Sequence, residues 1–289
     1  MARESIRQRI KLNLTAQLGP LTTFMIVFFG VPLLVFFIYS FWAVDGWNIV
    51  HQWNLGNYFR AIVTPMYRTL ILRSLFIGLF TATLSVIVVY PLAYTLAFKI
   101  RKYRDLILFI LMISLFSNYL VRIYAWRSVL SANGLVSVIL MALGLAEEPN
   151  SYLLYDWTGV VLTLVNVYLP FATLPIYSAL LNIEPSVIEA ARDLGASSLR
   201  AFYEVTLPLS TSGVKAAFLF IFLLTAGDFV TPELIGGTGG RMIGNAIATQ
   251  FGIVYNWPLG SAFAFTTILA IFLLLMGGLS ISRLTQLRR

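Results

Sequence analysis

Six long apolar segments, separated by polar and glycine-rich stretches, dominate the pattern along the chain. A hydrocarbon core about 30 Å thick needs about 20 apolar residues in helical form. Six segments meet or approach that length, at residues 21–42, 74–98, 106–126, 157–181, 214–229 and 259–282. The pattern predicts an all-α membrane protein with six transmembrane helices. They form one domain over residues 21–282, flanked by an N-terminal segment at 1–20 and a tail at 283–289.

Two further segments are apolar but too short to cross a membrane. Residues 135–145 follow the Asn133-Gly134 turn signal, and we expect a short helix on the outer side. The stretch from Gly236 to Pro258 opens with a glycine-rich run, which predicts a loop and a short helix returning toward the bundle. The first span is expected to be retained, because its apolar run is long and no small-residue cleavage site follows it.

Composition supports lipid as the solvent. Hydrophobic residues make up 59% of the 289 residues, charged residues only 11%, and the mean hydropathy is +0.85. A soluble domain of this composition would expose large apolar patches and aggregate. The chain has no cysteine and one histidine, His51, which excludes thiolate sites and two-histidine metal motifs. We predict no metal site, and no catalytic residues, since the spans hold neither a histidine cluster nor a paired-acid motif.

The basic residues predict the orientation. The net charge of +8 reflects residues flanking the spans, and no basic run has the aromatic interleaving typical of nucleic-acid binding. With the N-terminus inside, the inner segments carry 14 of the 20 Lys and Arg residues and the outer segments carry 6. Because inner loops are enriched in Lys and Arg, both termini are predicted to be cytoplasmic.

A patterned inner loop at residues 182–213 joins the fourth and fifth spans. Ser186 and Glu189 have the spacing of a capping box, so a helix is expected to begin there. Gly195 lies where a helix would end through a left-handed residue. The first half of the loop therefore predicts one short amphipathic helix followed by a glycine elbow.

A second short helix is predicted after the elbow. Ser197 or Ser198 can cap it, and it is expected to end before Pro208. It carries Phe202 and Tyr203, large side chains of the kind that anchor interfaces. Such a hairpin either lies in a groove of a partner protein or rests on the membrane surface, and the pattern alone leaves both open.

The spacing of this loop has a specific resemblance. Glu189-Ala190-Ala191, three residues, Gly195, nine residues and Val205-Thr206-Leu207-Pro208 resemble the EAA loop of permeases in binding-protein-dependent ABC importers, with Val in place of Ile. In that family the loop forms coupling helices that sit in a cleft of the nucleotide-binding subunit. The resemblance implies ATPase coupling by Glu189, Ala190, Ala191, Gly195, Leu199, Phe202, Leu207 and Pro208.

The resemblance also implies a fold and a set of partners. The fold is a type I ABC importer transmembrane domain in a bacterial inner membrane. The partners are two copies of an ATPase subunit, a second similar permease, and a periplasmic or lipid-anchored substrate-binding protein. No Gly-x-x-x-x-Gly-Lys-Ser/Thr sequence occurs in the chain, so it has no P-loop. The chain is then no enzyme and holds no cofactor, and ATP and magnesium belong to the partner.

Further segments resemble permeases of the spermidine/putrescine importer family. They are Asn118–Trp126, Asn133–Leu135, Leu169–Phe171, Met242–Asn245 and Asn256–Gly260. The resemblance implies import of a small organic cation by alternating access. The family also has members for amino-acid derivatives and opines, which is the alternative substrate class. A secondary transporter is a further alternative, and it needs a coupling acid in mid-span.

Two carboxylates near the fifth span are candidates for contact with a cation. Asp228 is predicted at the outer end of that span, and Glu233 follows five residues later. A carboxylate at membrane depth is costly and faces a cavity or a partner. The alternative is that Asp228 pairs with Arg122 or Arg127, or only marks the end of the helix.

Three aromatic residues are candidates for the same pathway. Their rings can contact an ammonium group through the ring face. The alternative is an interfacial aromatic belt, a common feature of spans. The residues are Tyr119, Tyr124 and Trp126.

Overall fold

The computed structural model describes residues 19–46, 48–100, 102–149 and 153–286, with side chains up to residue 278. Of the predicted N-terminal segment 1–20, only the last two residues fall in this range. The last three residues of the predicted tail 283–289 also lie outside it. Within the described residues, five helices are long and apolar enough to cross a membrane, and a sixth span results if one bent helix pair is counted.

The chain divides into two units. The first combines residues 1–67 and 247–289. Its described elements are α1 (Gly19–Tyr39), strands β1 (Ala43–Asp45) and β2 (Asn48–Val50), α2 (Gly56–Val63), and the C-terminal helix at Trp257–Gln286. The antiparallel hairpin β1–β2 is absent from the sequence prediction.

Aromatic rings hold the first unit together. Phe36 of α1 packs edge-on against Phe251, with ring centroids 5.5 Å apart. Phe37 lies 5.1 Å from Phe265, and Tyr67 lies 4.3 Å from Phe263. In contrast, residues 20–35 of α1 are exposed and almost entirely apolar, a surface that suits lipid because the helix satisfies its own backbone groups.

The second unit, residues 68–246, carries the loop and most candidate pathway residues. Its helices are α3 (Pro65–Phe98, whose first residues belong to the first unit), α4 (Arg104–Phe116), α5 (Tyr119–Leu130), α6 (Leu135–Ala142), α7 (Trp157–Leu181), α8 (Pro185–Asp193), α9 (Ser198–Leu209) and α10 (Thr211–Ala226). A π-helical turn at Pro232–Gly236 and a turn at Gly237–Gly240 follow. Then come α11 (Ile243–Gly252) and α12 (Trp257–Gln286), the C-terminal helix of the first unit.

Glycines allow close helix packing in the second unit. Gly213 at the start of α10 lies against the carbonyl oxygen of Pro175 and the Cβ of Ala179 in α7, so a side chain there would overlap both. Gly78 of α3 packs against the ring of Phe222, which is fully buried. These contacts form the core around α7 and α10.

The third predicted span, residues 106–126, is wrong as one continuous helix. It is interrupted at Ser117 and Asn118, where the backbone is extended. The Asn118 side chain accepts a hydrogen bond of 2.9 Å from the Leu120 amide and so begins a new helix. Asparagine favours such caps over a helix interior because its side chain competes for backbone groups. The stretch that is long and apolar enough to cross is instead Tyr119–Ala142.

The other predicted bounds differ by smaller amounts. The second span begins earlier, at Pro65, and the fifth ends at Ala226 instead of 229, which leaves Asp228 beyond the helix. The fourth span matches the prediction at both ends. The predicted short helices after Asn133-Gly134 and within Gly236–Pro258 are observed as α6 and α11.

Candidate functional site

The loop between α7 and α10 begins with a helix whose predicted cap is wrong. Helix α8 starts at Pro185, one residue before Ser186, and Glu184 occupies the N-cap position. Proline is pre-organised for the first helical position, so it moves the helix start forward. Ser186 then lies inside the helix, where its hydroxyl donates to the Glu184 carboxylate at 3.3 Å, and the box with Glu189 does not form.

The glycine elbow has the geometry that the spacing predicts. Gly195 has φ +90°, and its amide donates to the Arg192 carbonyl at 2.8 Å. The Ala196 amide donates to the Ala191 carbonyl at 3.1 Å. Together these bonds form a Schellman motif, which ends a helix through a left-handed residue. Ala191 therefore takes part in the elbow through its backbone.

The second loop helix begins where expected and ends later. The Ser197 hydroxyl accepts from the Arg200 amide at 3.3 Å, which identifies Ser197 as the cap of α9. The helix continues through Pro208 to Leu209, contrary to the prediction. It does so through a π-helical turn at Phe202–Thr206, and the i→i−5 bond from the Leu207 amide to the Phe202 carbonyl closes that turn. The wider turn accommodates a proline that lacks an amide donor.

A 62° bend separates α9 from α10, and a buried hydroxyl pair lies at this bend. Ser210 is fully buried, and its Oγ is 2.8 Å from the hydroxyl of Tyr90 in α3. Ser210 also donates to the Leu207 carbonyl at 3.1 Å. Tyr90 and Ser210 are not among the predicted site residues, because nothing in the local pattern indicates that residues 120 positions apart meet.

The predicted coupling residues divide into two groups by exposure. Leu194, next to Gly195, is 90% exposed and Leu199 is 71% exposed. Glu189, Ala190 and Pro208 are also exposed, whereas Ala191 and Leu207 are half-buried. Apolar side chains this exposed on a loop are typical of a surface that another protein covers.

Phe202 belongs to the inward-facing group. Its ring lies 5.7 Å from that of Tyr90 and 5.8 Å from that of Tyr94, both in α3, in edge-on arrangements. Its neighbour Tyr203 is exposed. Of the two rings predicted to anchor a partner, Tyr203 is placed to do so, while Phe202 anchors the loop to its own spans.

Asp228 is buried just beyond the end of α10. The residue is 7% exposed, and the Tyr119 hydroxyl donates to its Oδ2 at 2.8 Å. The Val230 amide donates to Oδ1 at 3.0 Å. Tyr119 also lies 2.9 Å from the hydroxyl of Thr231, which must be the donor because the Tyr119 proton is already used. The structure thus brings together two predicted pathway residues and adds Thr231.

The expected alternative for Asp228, an ion pair with an arginine, does not occur. In the part of the chain that the structure describes, no Lys or Arg nitrogen lies within 4.0 Å of its carboxylate. Arg122 instead donates to the Val167 carbonyl at 3.0 Å. Within the described residues, both hydrogen bonds to the carboxylate come from uncharged donors.

The other predicted pathway residues have separate partners. The Trp126 indole donates to Asn166 Oδ1 at 3.0 Å, and the Tyr124 ring is exposed. Glu233 is exposed and accepts from the Asn245 amide group at 2.9 Å. Tyr119 and Asp228 are therefore the predicted pair that the structure joins by a direct bond.

Comparison with known proteins places this architecture in a family. Residues 89–286 match the family of binding-protein-dependent transport system inner membrane components. The chain belongs to this family. Over 253 residues it is 33% identical to the spermidine/putrescine transport system permease protein PotB of Escherichia coli (strain K12), which covers 87% of this chain and 91% of that one. This member of the family is thus a multi-pass inner-membrane permease subunit of an ABC importer.

Solved structures share the fold. One chain of a bacterial ABC transporter involved in the import of the acidic polysaccharide alginate has a TM-score of 0.74 at 16% identity, covering 97% of this chain and 99% of that chain. A chain of the bacterial alginate transporter in complex with an alginate pentasaccharide-bound periplasmic protein has a TM-score of 0.63 at 17% identity, covering 93% of each. The predicted all-α, type I importer fold is confirmed.

Proposed function

We propose that this chain is the transmembrane permease of an ATP-driven importer that moves a small, polyamine-like organic cation into the cytoplasm. A substrate-binding protein delivers the cation, and two ATPase subunits supply the energy. A second, similar permease completes the pathway. Both termini and the loop at residues 182–213 face the cytoplasm, in keeping with the excess of Lys and Arg in those segments.

One observation carries this proposal: the exposed elbow around Gly195. The Schellman motif fixes the angle between α8 and α9 and leaves Leu194 and Leu199 exposed on the surface of the loop. A rigid helix–turn–helix with exposed apolar side chains suits a cleft in another protein. It suits a membrane surface less well, because the most exposed apolar side chain, Leu194, lies at the elbow itself, just beyond the end of α8.

The coupling mechanism follows from how the loop is attached. When the ATPase subunits close on ATP, they draw the docked loops together. Phe202 and Ser210 tie α9 to Tyr90 of α3, so movement of the loop is transmitted to a spanning helix. The pathway then opens outward toward the binding protein, and hydrolysis with phosphate release lets it reopen inward.

The proposed substrate class rests on two supports. The E. coli relative is named as a spermidine/putrescine permease. Within this chain, the buried carboxylate of Asp228 has no cationic partner among the described residues, which suits a cationic solute better than an acidic one.

Reconstituted uptake tests the proposal. The chain, its companion permease, the ATPase subunits and the binding protein are placed in proteoliposomes, and uptake of radiolabelled spermidine and putrescine is measured. Accumulation should require ATP on the ATPase side and binding protein on the other. Uptake that persists after the ATPase subunits are omitted would contradict the proposal.

A further inference from the structure

Two interruptions of helical structure meet at Asp228. Helix α4 has 13 residues and ends before Ser117 and Asn118, and α10 ends before Gly227 and Asp228. At 1.5 Å per residue, the first break lies about 20 Å from the Arg104 end of α4. The same break begins the stretch Tyr119–Ala142, which is long and apolar enough to cross the membrane, so both breaks lie at the ends of apolar helices.

Open backbone beside a membrane-spanning helix requires a polar surrounding. Non-helical segments in a membrane are tolerated where protein covers them or where they line a water-filled cavity. Here Ser117, Asn118 and Gly227 are exposed. No other part of this chain covers them, so the break is free to line a polar pathway.

Asp228 places a negative charge at the same point. Each carboxylate oxygen accepts one hydrogen bond from an uncharged donor, Tyr119 or the Val230 amide. A carboxylate has about four acceptor positions, so acceptor capacity remains. A buried charge without a counter-ion is costly, and a mobile cation would relieve that cost.

We propose that Asp228 binds a primary ammonium group of the transported solute, and that Tyr119 is an internal donor which the ammonium displaces. An ammonium group has three donors and no acceptor, so it satisfies the Asp228 carboxylate and supplies the missing positive charge. Thr231 lies beside the Tyr119 hydroxyl and offers it an alternative acceptor when it leaves. This proposal rests on the proposed function and names the cation site within it.

The arrangement accounts for selectivity. A neutral solute that displaces Tyr119 leaves the charge uncompensated, and an acidic solute adds repulsion. The site therefore rejects non-basic solutes through the charge of one side chain.

Charge-selective labelling tests the site without requiring transport. The chain has no cysteine, so Gly227→Cys introduces a single thiol beside Asp228. A Cβ at that position meets only the Leu223 carbonyl at 3.5 Å, an ordinary contact, so the variant should fold. The assembled transporter is treated with a trimethylammonium methanethiosulfonate and, separately, with a sulfonate methanethiosulfonate. The ratio of the two labelling rates is compared with the ratio in Gly227→Cys/Asp228→Asn.

The cationic reagent should react faster, and Asp228→Asn should lower the rate ratio about 10-fold, the effect of one charged hydrogen-bonding partner. Spermidine should protect the thiol in the parent and fail to protect it in the Asn variant. An unchanged ratio, or equal protection in both, overturns the proposal. Neither labelling nor protection depends on ATP hydrolysis or uptake, so the cation site can be refuted without refuting the proposed function.

Uptake kinetics separate displacement from a purely structural role for Tyr119. Tyr119→Phe keeps the ring and removes the competing donor, so KM for putrescine should fall about 5-fold or more, with Tyr103→Phe, at an exposed tyrosine outside the pathway, as a matched control that leaves KM unchanged. Asp228→Asn should raise KM about 10-fold or more, while Asp105→Asn, at a carboxylate whose side chain is 88% exposed, should not. A raised or unchanged KM in Tyr119→Phe contradicts displacement.

Discussion

The elbow at Gly195 allows a specific prediction, because a side chain there would strain the backbone conformation without overlapping any neighbouring atom. Gly195 has φ +90°, and no atom lies within 4 Å of the position that a Cβ would occupy. Gly195→Ala therefore causes no steric overlap. Its cost is the free energy of holding an alanine in the left-handed conformation, about 1–2 kcal/mol. That energy shifts the population of the native elbow about 5- to 30-fold toward other conformations.

The consequence should be uncoupling of ATP hydrolysis from uptake. A loop whose elbow angle varies still offers Leu194 and Leu199 to the ATPase but transmits less of its movement. We expect Gly195→Ala to lower the number of solute molecules imported per ATP hydrolysed by about 5-fold or more. Gly195→Asn should recover part of the loss, since asparagine adopts left-handed conformations more readily than alanine. Uptake and phosphate release are measured on the same proteoliposomes.

Gly144 supplies a matched control within the same chain. It follows α6 with φ +70°, and no atom lies within 4 Å of the position that a Cβ would occupy. It also forms a Schellman motif, in which the Gly144 amide donates to the Met141 carbonyl and the Leu145 amide donates to the Leu140 carbonyl. Gly144→Ala should carry a similar backbone cost and leave coupling intact. Normal coupling in Gly195→Ala, or equal losses in the two variants, would refute the reasoning.

Three further variants test other contacts. Gly213→Ala places a methyl group against the Pro175 carbonyl and should destabilise the assembled permease by about 1–3 kcal/mol, measured by thermal unfolding in detergent. Phe202→Ala removes the ring that ties the loop to α3, so ATP hydrolysis should persist while uptake falls several-fold, measured in proteoliposomes. Leu199→Ser alters an exposed side chain and should weaken ATPase binding about 10-fold, measured by titration in nanodiscs, without lowering the unfolding temperature.

Two of these variants have a matched control. Gly252→Ala adds a methyl group where nothing lies within 4 Å and should not lower the unfolding temperature. Tyr203→Ala, beside Phe202 but exposed, should weaken ATPase binding instead of uncoupling. Equal behaviour of Phe202→Ala and Tyr203→Ala would show that the inward and outward faces of α9 do not have separate roles. A Leu199→Ser variant that binds the ATPase normally would remove that residue from the interface.

Helical periodicity and apolar run length predicted the spans well where packing is continuous. The fourth span matches the prediction at both ends, since Trp157–Leu181 is largely apolar and packs along α10. The third was not, because the sequence 106–126 is equally apolar and the break depends on one hydrogen bond from Asn118 to the Leu120 amide. Hydropathy does not report a side-chain cap inside an apolar run.

In the candidate site too, local backbone features could be predicted from the sequence, whereas contacts between distant residues could not. Gly195 was identified from its spacing, because the left-handed conformation is a local backbone requirement. The orientation of Phe202 was not, since it depends on Tyr90 and Tyr94 in a distant span. The Tyr119–Asp228 bond joins residues 109 positions apart. Each was named separately as a candidate, but their pairing required the fold.

Cross-linking from the elbow tests the central claim most directly. In the cysteine-free chain, Leu194→Cys places one thiol on the most exposed part of the loop, and Leu143→Cys, 67% exposed beside Gly144, places one at the predicted outer end. A short thiol-to-amine cross-linker is added to the assembled transporter. We expect an adduct with the ATPase subunit from Leu194→Cys and none from Leu143→Cys. No adduct from Leu194→Cys, or equal adducts from both, would contradict it.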